Sequence, residues 1–181
     1  GVILELNMNV LTMMKPSWIV HSRKATQMNT IAHYLRAEDI LLDAEASSKP
    51  ELLDTIGRHM ELTHCLPRAS VSHSLARREQ LGSTALGQGV AIPHARVKDL
   101  DRILVAYLRM KSPIPFDAPD DEPVFDILVL MVPKQASDEH LRILADASQM
   151  FANSRFRMHL RQCGDPLAVK QVFDAWPRLP S

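Results

Sequence analysis

The run Val124-Phe125-Asp126-Ile127-Leu128-Val129-Leu130-Met131-Val132 holds a single polar side chain. A segment this rich in β-branched and large apolar residues, without polar alternation, is expected to be a central strand buried on both faces. Such a strand needs cover above and below, and amphipathic helix patterns stand on both sides of it in the sequence. Upstream, Ser48 followed by Glu51 reads as a capping box, with Pro50 tolerated in the first turn. Leu52, Leu53, Ile56 and Met60 then form one helical face. Pro67 breaks the chain. A second helix over residues 70–80 carries Val71, Ser74, Leu75 and Arg78 on its inward stripe. An arginine there needs an anion or a carboxylate partner.

Downstream, Ser137 is the expected N-cap of a helix with Asp138 and Glu139 at its positive end and Leu141, Leu144 and Phe151 facing inward. Residues 155–162 form a shorter helix, with Phe156, Leu160 and Cys163 on one side and Gly164 as its stop. Asp165-Pro166 opens a last helix with Val169, Val172, Phe173 and Trp176 in a stripe, ended by Pro177. Further strands are expected at Ile40-Leu41-Leu42, Val90-Ala91-Ile92 and residues 102–110, with a Pro- and Asp-rich surface loop over 112–123. The pattern predicts one layered α/β domain, a mixed central sheet with helices on both faces.

The domain is expected over residues 28–181 of a 181-residue chain. Residues 1–27 differ in texture. Their apolar residues show no clean period and are broken by Asn7, Asn9, Lys15 and Pro16, a poor match to a secretory signal. They read as an N-terminal extension, poorly ordered, with Met28 as an alternative start. Lys plus Arg and Asp plus Glu both number 21, so nothing in the net charge points to a nucleic-acid partner. No apolar run is long enough to cross a membrane, and Cys65 and Cys163 form no CxxC pair, which fits a reducing cytoplasm. Eight histidines raise a metal reading. No HExxH occurs, and His59 and His64, five apart, share a helix face badly, so neither metal nor cofactor is expected.

The densest chemistry lies in Arg78-Glu79-Gln80-Leu81-Gly82-Ser83-Thr84-Ala85-Leu86-Gly87-Gln88-Gly89-Val90-Ala91-Ile92-Pro93-His94. It is neither a GxGxxG nor a P-loop motif. Pro93 stiffens the chain just before His94, which suits a histidine presented at a strand end. His140, three residues past the Ser137 cap, falls in the first turn of a helix, where the dipole favours an anion and a neutral imidazole. Together Arg78, His94 and His140 offer a nucleophilic imidazole, a guanidinium for phosphoryl charge and a supporting donor.

This segment resembles the phosphoacceptor stretch of fructose- and mannitol-type IIA domains of the bacterial phosphotransferase system. The pattern R-E-x-L-x-S-T-x-L-G-x-G-V-A-I-P-H is complete, and Val132-Pro133, Glu139-His140-Leu141 and the Phe116-Asp117-Ala118-Pro119 loop also match. The resemblance extends over residues 28–176. It implies a phosphotransferase component in which His94 takes a phosphoryl group from an HPr-type carrier, assisted by Arg78 and His140, with Ser83 and Thr84 as phosphate-binding candidates. The family usually has glycine after the active histidine, where this chain has Ala95, followed by Arg96. Sugar-transport members pass the phosphate to a IIB domain, while nitrogen-regulatory members signal by their phosphorylation state. The length, the short N-terminal helix and Glu38-Asp39-Ile40-Leu41-Leu42 resemble the nitrogen-regulatory type. That likeness implies regulated partners such as potassium-transport or sensor-kinase proteins. A sugar-transport IIA component and a protein-interaction module that no longer takes phosphate are the alternatives.

Overall fold

The computed structural model describes residues 29–135 and 137–179; the expectation for the N-terminal extension falls outside these residues. The apolar run is β6 (Val124–Pro133), and it lies inside the sheet as its composition requires. One side pairs antiparallel with β5 (Leu104–Ile114), and β1 (Leu35–Ala44) adds parallel to β5 as the edge. On the other side β6 carries two short parallel partners end to end, β3 (Val90–Ala91) against Asp126 and Ile127 and β4 (His94–Val97) against Leu130 to Pro133. β2 (Ala85–Gly87) closes that side antiparallel to β3.

Strand periodicity sorts the central side chains into two cores. Ala106, Leu108, Ile127, Val129 and Met131 face a layer made by α2 (Lys49–His64) and α3 (Arg68–Gln80). Val105, Tyr107, Leu128 and Leu130 face α1 (Thr30–Tyr34), α4 (Asp138–Ala152), α5 (Ser154–Gln162) and α6 (Pro166–Ala175). The mixed sheet with helices on both faces is therefore as the sequence predicts. Tyr107, Phe151, Phe156 and Phe173 form an edge-to-face and stacked cluster at the centre of the second core.

Local signals hold with four corrections, the first being that Ser137 stands at the N-cap of α4 without a capping bond from its side chain. The α2 cap is Ser48, whose hydroxyl accepts from the Glu51 amide at 3.3 Å, but the Glu51 carboxylate returns to the Ser47 amide and hydroxyl, one residue earlier than in a capping box. β5 runs to Ile114, so the loop is shorter than composition implies, and its Phe116 and Ala118 are buried. In α4, Ile143, Ala147, Met150 and Phe151 face the core, while Leu141 is 69% exposed. Helical phase explains the error: Ile143, Ala147 and Met150 fall on one stripe at 3.6 residues per turn, and Leu141 falls outside it.

Candidate functional site

β3 and β4 pair with the same strand, β6, but are interrupted at Ile92-Pro93. Proline cannot donate to a ladder, and here its carbonyl accepts from the Leu130 amide at 3.0 Å, which keeps the broken strand attached to β6. The chain resumes at His94, the first residue of β4, whose side chain is half-buried. Nδ1 donates to the Ile92 carbonyl at 2.8 Å. That bond places the proton on Nδ1 and leaves the lone pair on Nε2, which accepts from Arg78 Nε at 3.3 Å. Burial pulls the ring's pKa below its ordinary 6.5, and the Arg78 charge adds to the effect against the opposing Ile92 bond. His94 is thus a neutral imidazole with a defined basic nitrogen.

Arg78 comes from the last turn of α3 and also donates to the Gly82 carbonyl at 2.9 Å, so it ties the end of its helix to the loop that follows. Of the anion or carboxylate partner that its stripe called for, the structure shows no carboxylate among the described residues; its side-chain partner is His94. The buried carboxylate is the neighbouring Glu79, which sequence reading passed over. Glu79 accepts from the Thr84 amide at 3.2 Å, from the Thr84 hydroxyl and from Lys49 Nζ at 3.1 Å. Lys49 lies over the Phe116 ring, 4.5 Å from its centre. The signal available in the sequence was the i to i+5 pairing of Glu79 with Thr84 across a glycine turn.

Arg78, His94 and His140 line one cleft of about 1060 Å³ between the C-terminal half of α3, β4 and the start of α4. His140 is at N3 of α4, as expected, and its amide donates to the Ser137 carbonyl at 3.2 Å. Its Nδ1 is buried without a hydrogen-bond partner among the described residues. Ser83 and Thr84 do not line this cleft. The Ser83 hydroxyl donates to the Phe116 carbonyl at 2.5 Å and the Thr84 hydroxyl serves Glu79, so both shape the loop from within. Ala95 sits in β4 opposite Met131 and is absent from the positive-φ residues, so replacing glycine here carries no left-handed strain.

Around the histidine the cleft is lined by Arg77, Arg96, Lys98 and Lys134, a basic rim opposed, among the described residues that line it, by Asp138. Leu81, 85% exposed, and Leu141 stand on the same rim. A neutral imidazole inside a cationic, partly apolar mouth is suited to meeting an anionic group.

The fold and this cleft define a single-domain α/β protein with a basic cleft that brings together His94, His140 and Arg78. The sequence model of the phosphoenolpyruvate-dependent sugar phosphotransferase system EIIA 2 family matches residues 33–176. The chain belongs to that family, whose members are phosphotransfer components. A nitrogen regulatory protein of Bradyrhizobium diazoefficiens is 34% identical over 143 residues, spanning 78% of this chain and 93% of the relative. One from Pseudomonas aeruginosa is 34% identical over 134 residues, 73% of this chain and 86% of that one. The crystal structure of nitrogen regulatory protein IIA-Ntr from Neisseria meningitidis superposes with a TM-score of 0.76 at 37% identity, covering 80% of this chain and 99% of that one. IIA mannitol from Escherichia coli shares the fold, with a TM-score of 0.65 at 19% identity over 77% of this chain and 98% of that one. Among the described residues no helix is long and apolar enough to cross a membrane.

Proposed function

We propose that this chain is a phosphocarrier of the nitrogen-regulatory type, with His94 Nε2 as the acceptor. The observation that carries this reading is the Ile92 carbonyl on Nδ1, which leaves Nε2 as the only lone pair of the ring, aimed at Arg78. In the step, the Nε2 pair attacks phosphorus on a phosphohistidine of an HPr-type carrier. The donor P–N bond breaks, its electron pair returns to the donor imidazole, and a P–N bond forms on His94. The proton stays on Nδ1, donated to the Ile92 carbonyl, so the ring takes up positive charge beside the phosphoryl oxygens. Arg78 leaves the lone pair it caps at rest and receives those oxygens. His140, in the first turn of α4, acts as a donor to them or steadies the ring, and is not itself the acceptor.

The relatives named above favour a regulatory output over sugar transport, with the phosphorylated and free forms presenting different faces to cytoplasmic partners of the potassium-transport or sensor-kinase kind. Labelling with phosphoenolpyruvate, the first enzyme of the cascade and the carrier protein tests the acceptor reading. Onward transfer of that label to an isolated IIB domain would favour the sugar-transport alternative instead, and no label at all would favour an interaction module.

Arg78→Ala is expected to slow uptake roughly 10²-fold, since losing one preorganised donor to developing charge costs about 3 kcal/mol. Rates within a few-fold of the parent protein would remove Arg78 from the mechanism. A second expectation follows from burial of the ring. An NMR titration of the His94 imidazole should give a midpoint below 6.5. The unfolded ring then takes its proton first as pH falls, so the His94 contribution to stability is intact above 6.5 and is lost as pH drops from there through the folded midpoint. A midpoint above 6.5 would contradict the neutral resting state.

A further inference from the structure

A second cluster of histidines lies outside the cleft, and its residues are not among those that line it. Asp39, on edge strand β1, is 2% exposed, and both His59 and His64 of α2 direct Nε2 at its Oδ1, at 2.7 and 2.8 Å. The two imidazoles are themselves about nine-tenths buried, with side-chain exposures of 10% each. Residues five apart on a helix are about 140° apart around its axis, which is why their spacing argues against a shared face. The structure brings both rings together because Asp39 lies between them and because α2 ends directly after His64, where Cys65 takes a left-handed cap at φ 57°.

We propose that Asp39, His59 and His64 form a binding site for a divalent zinc-class ion. The three donor atoms lie within 4.8 Å of one another, with both imidazole Nε2 atoms turned to the same carboxylate oxygen. A tetrahedral zinc with bonds of ~2.0–2.1 Å separates its ligand atoms by roughly 3.3 Å. Seating an ion opens the two contacts of 2.7 and 2.8 Å by about half an ångström and closes the remaining pair, which lies within 4.8 Å, by up to about 1.5 Å, within reach of side-chain rotation. Two imidazole nitrogens and one carboxylate are a zinc ligand set that leaves the fourth position for water. Nitrogen donors disfavour magnesium and calcium, which take oxygen. An outer partner is also in place: the Thr63 hydroxyl lies 3.4 Å from His59 Nδ1. It can accept the proton that must sit on Nδ1 when Nε2 binds a metal. On binding, each Nε2–H proton is released or moves to Nδ1, and both nitrogens and the Asp39 oxygen turn to the ion. The ion would pin the edge strand β1 to the C-terminal turn of α2. None of this depends on the phosphoryl chemistry at His94.

The test uses the full chain stripped with a chelator and titrated with zinc, and with cobalt as a coloured substitute. The expected result is one equivalent bound with a dissociation constant in the micromolar range or tighter, and no uptake of magnesium or calcium. Zinc at a hundred times that constant should raise the melting temperature by about 5–10 °C. His59→Gln and His64→Gln should each weaken binding at least ~100-fold, more than the loss of an outer partner would. Histidine-ring NMR of the parent protein guards against a variant that fails to fold: zinc should move the His59 and His64 resonances and leave those of His94 in place. Absence of binding at about 100 μM zinc overturns the proposal. So does undiminished binding by the folded double variant, or a first equivalent that shifts His94 and His140 instead.

Discussion

His94→Ala is expected to take up no phosphoryl group from the carrier protein, while His140→Ala still becomes labelled, only more slowly or with poorer onward transfer. The asymmetry follows from the two environments. His94 donates its Nδ1 proton to the Ile92 carbonyl and turns its Nε2 pair to Arg78, which in the proposed mechanism leaves one nitrogen to attack and one cation to follow the charge. His140 sits at the start of α4, where the helix N-terminus supports a bound phosphate. Alanine at position 94 removes the only group of this pair poised for covalent chemistry, and no neighbouring donor can substitute for a nucleophile. The label on the parent protein should be acid-labile and base-stable, as for a phosphohistidine. Normal labelling of His94→Ala together with none on His140→Ala would reverse the two assignments.

Glu79→Ala carries the second large effect, on stability. The carboxylate is 5% exposed and holds three donors, the Thr84 amide, the Thr84 hydroxyl and the Lys49 ammonium. Removing it strands two buried donors of Thr84 and leaves Lys49 with Asp117, at 3.4 Å and 90% exposed, as its remaining carboxylate. Losing one partner of a buried pair typically costs 3–5 kcal/mol, and about 3 is expected here because Lys49 keeps that outer contact. For a domain of this size the melting temperature should fall by roughly 6–12 °C. Glu79→Gln, which can still accept from Thr84, should recover part of the loss. A change within about 1 °C for the alanine variant would show that the network contributes little. Since Arg78 is the next residue along α3, its aim at His94 should loosen as well.

Much of the architecture was legible because it rests on local rules. The unbroken apolar run of β6 demanded cover on both faces, and the stripes of α2, α5 and α6 point where their spacing says. The caps Ser48 and Asp165 do the work their residue types predict, apart from the return bond from Glu51. Leu141 is the instructive miss. Hydrophobicity alone put it inside, but helical phase set by Ile143, Ala147 and Met150 turns it onto the cleft rim, beside exposed Leu81.

The site divides along the same line. Pro93-His94, the glycines of the preceding loop and Arg78 could be picked out from the chain because each has a local chemical reason, and likeness to a known family supplied their roles. The roles within the loop could not be read that way. Ser83 and Thr84 have the right hydroxyls for a phosphate, yet they are spent on the Phe116 carbonyl and on Glu79, 33 and 5 residues away. Asp39, His59 and His64 show the opposite case: helical spacing argued against a cluster, and a strand 20 residues upstream of His59 made one. By itself the sequence determined the layers and the main helices and strands, though not the short strands β2 and β4, the latter beginning at His94, since periodicity, turns and caps act over a few residues. Only the tertiary structure decided which polar groups meet, because a hydrogen bond of about 3 Å depends on how sheet and helix layers register, and that registry is set by packing of the two cores and not by any local run of residues.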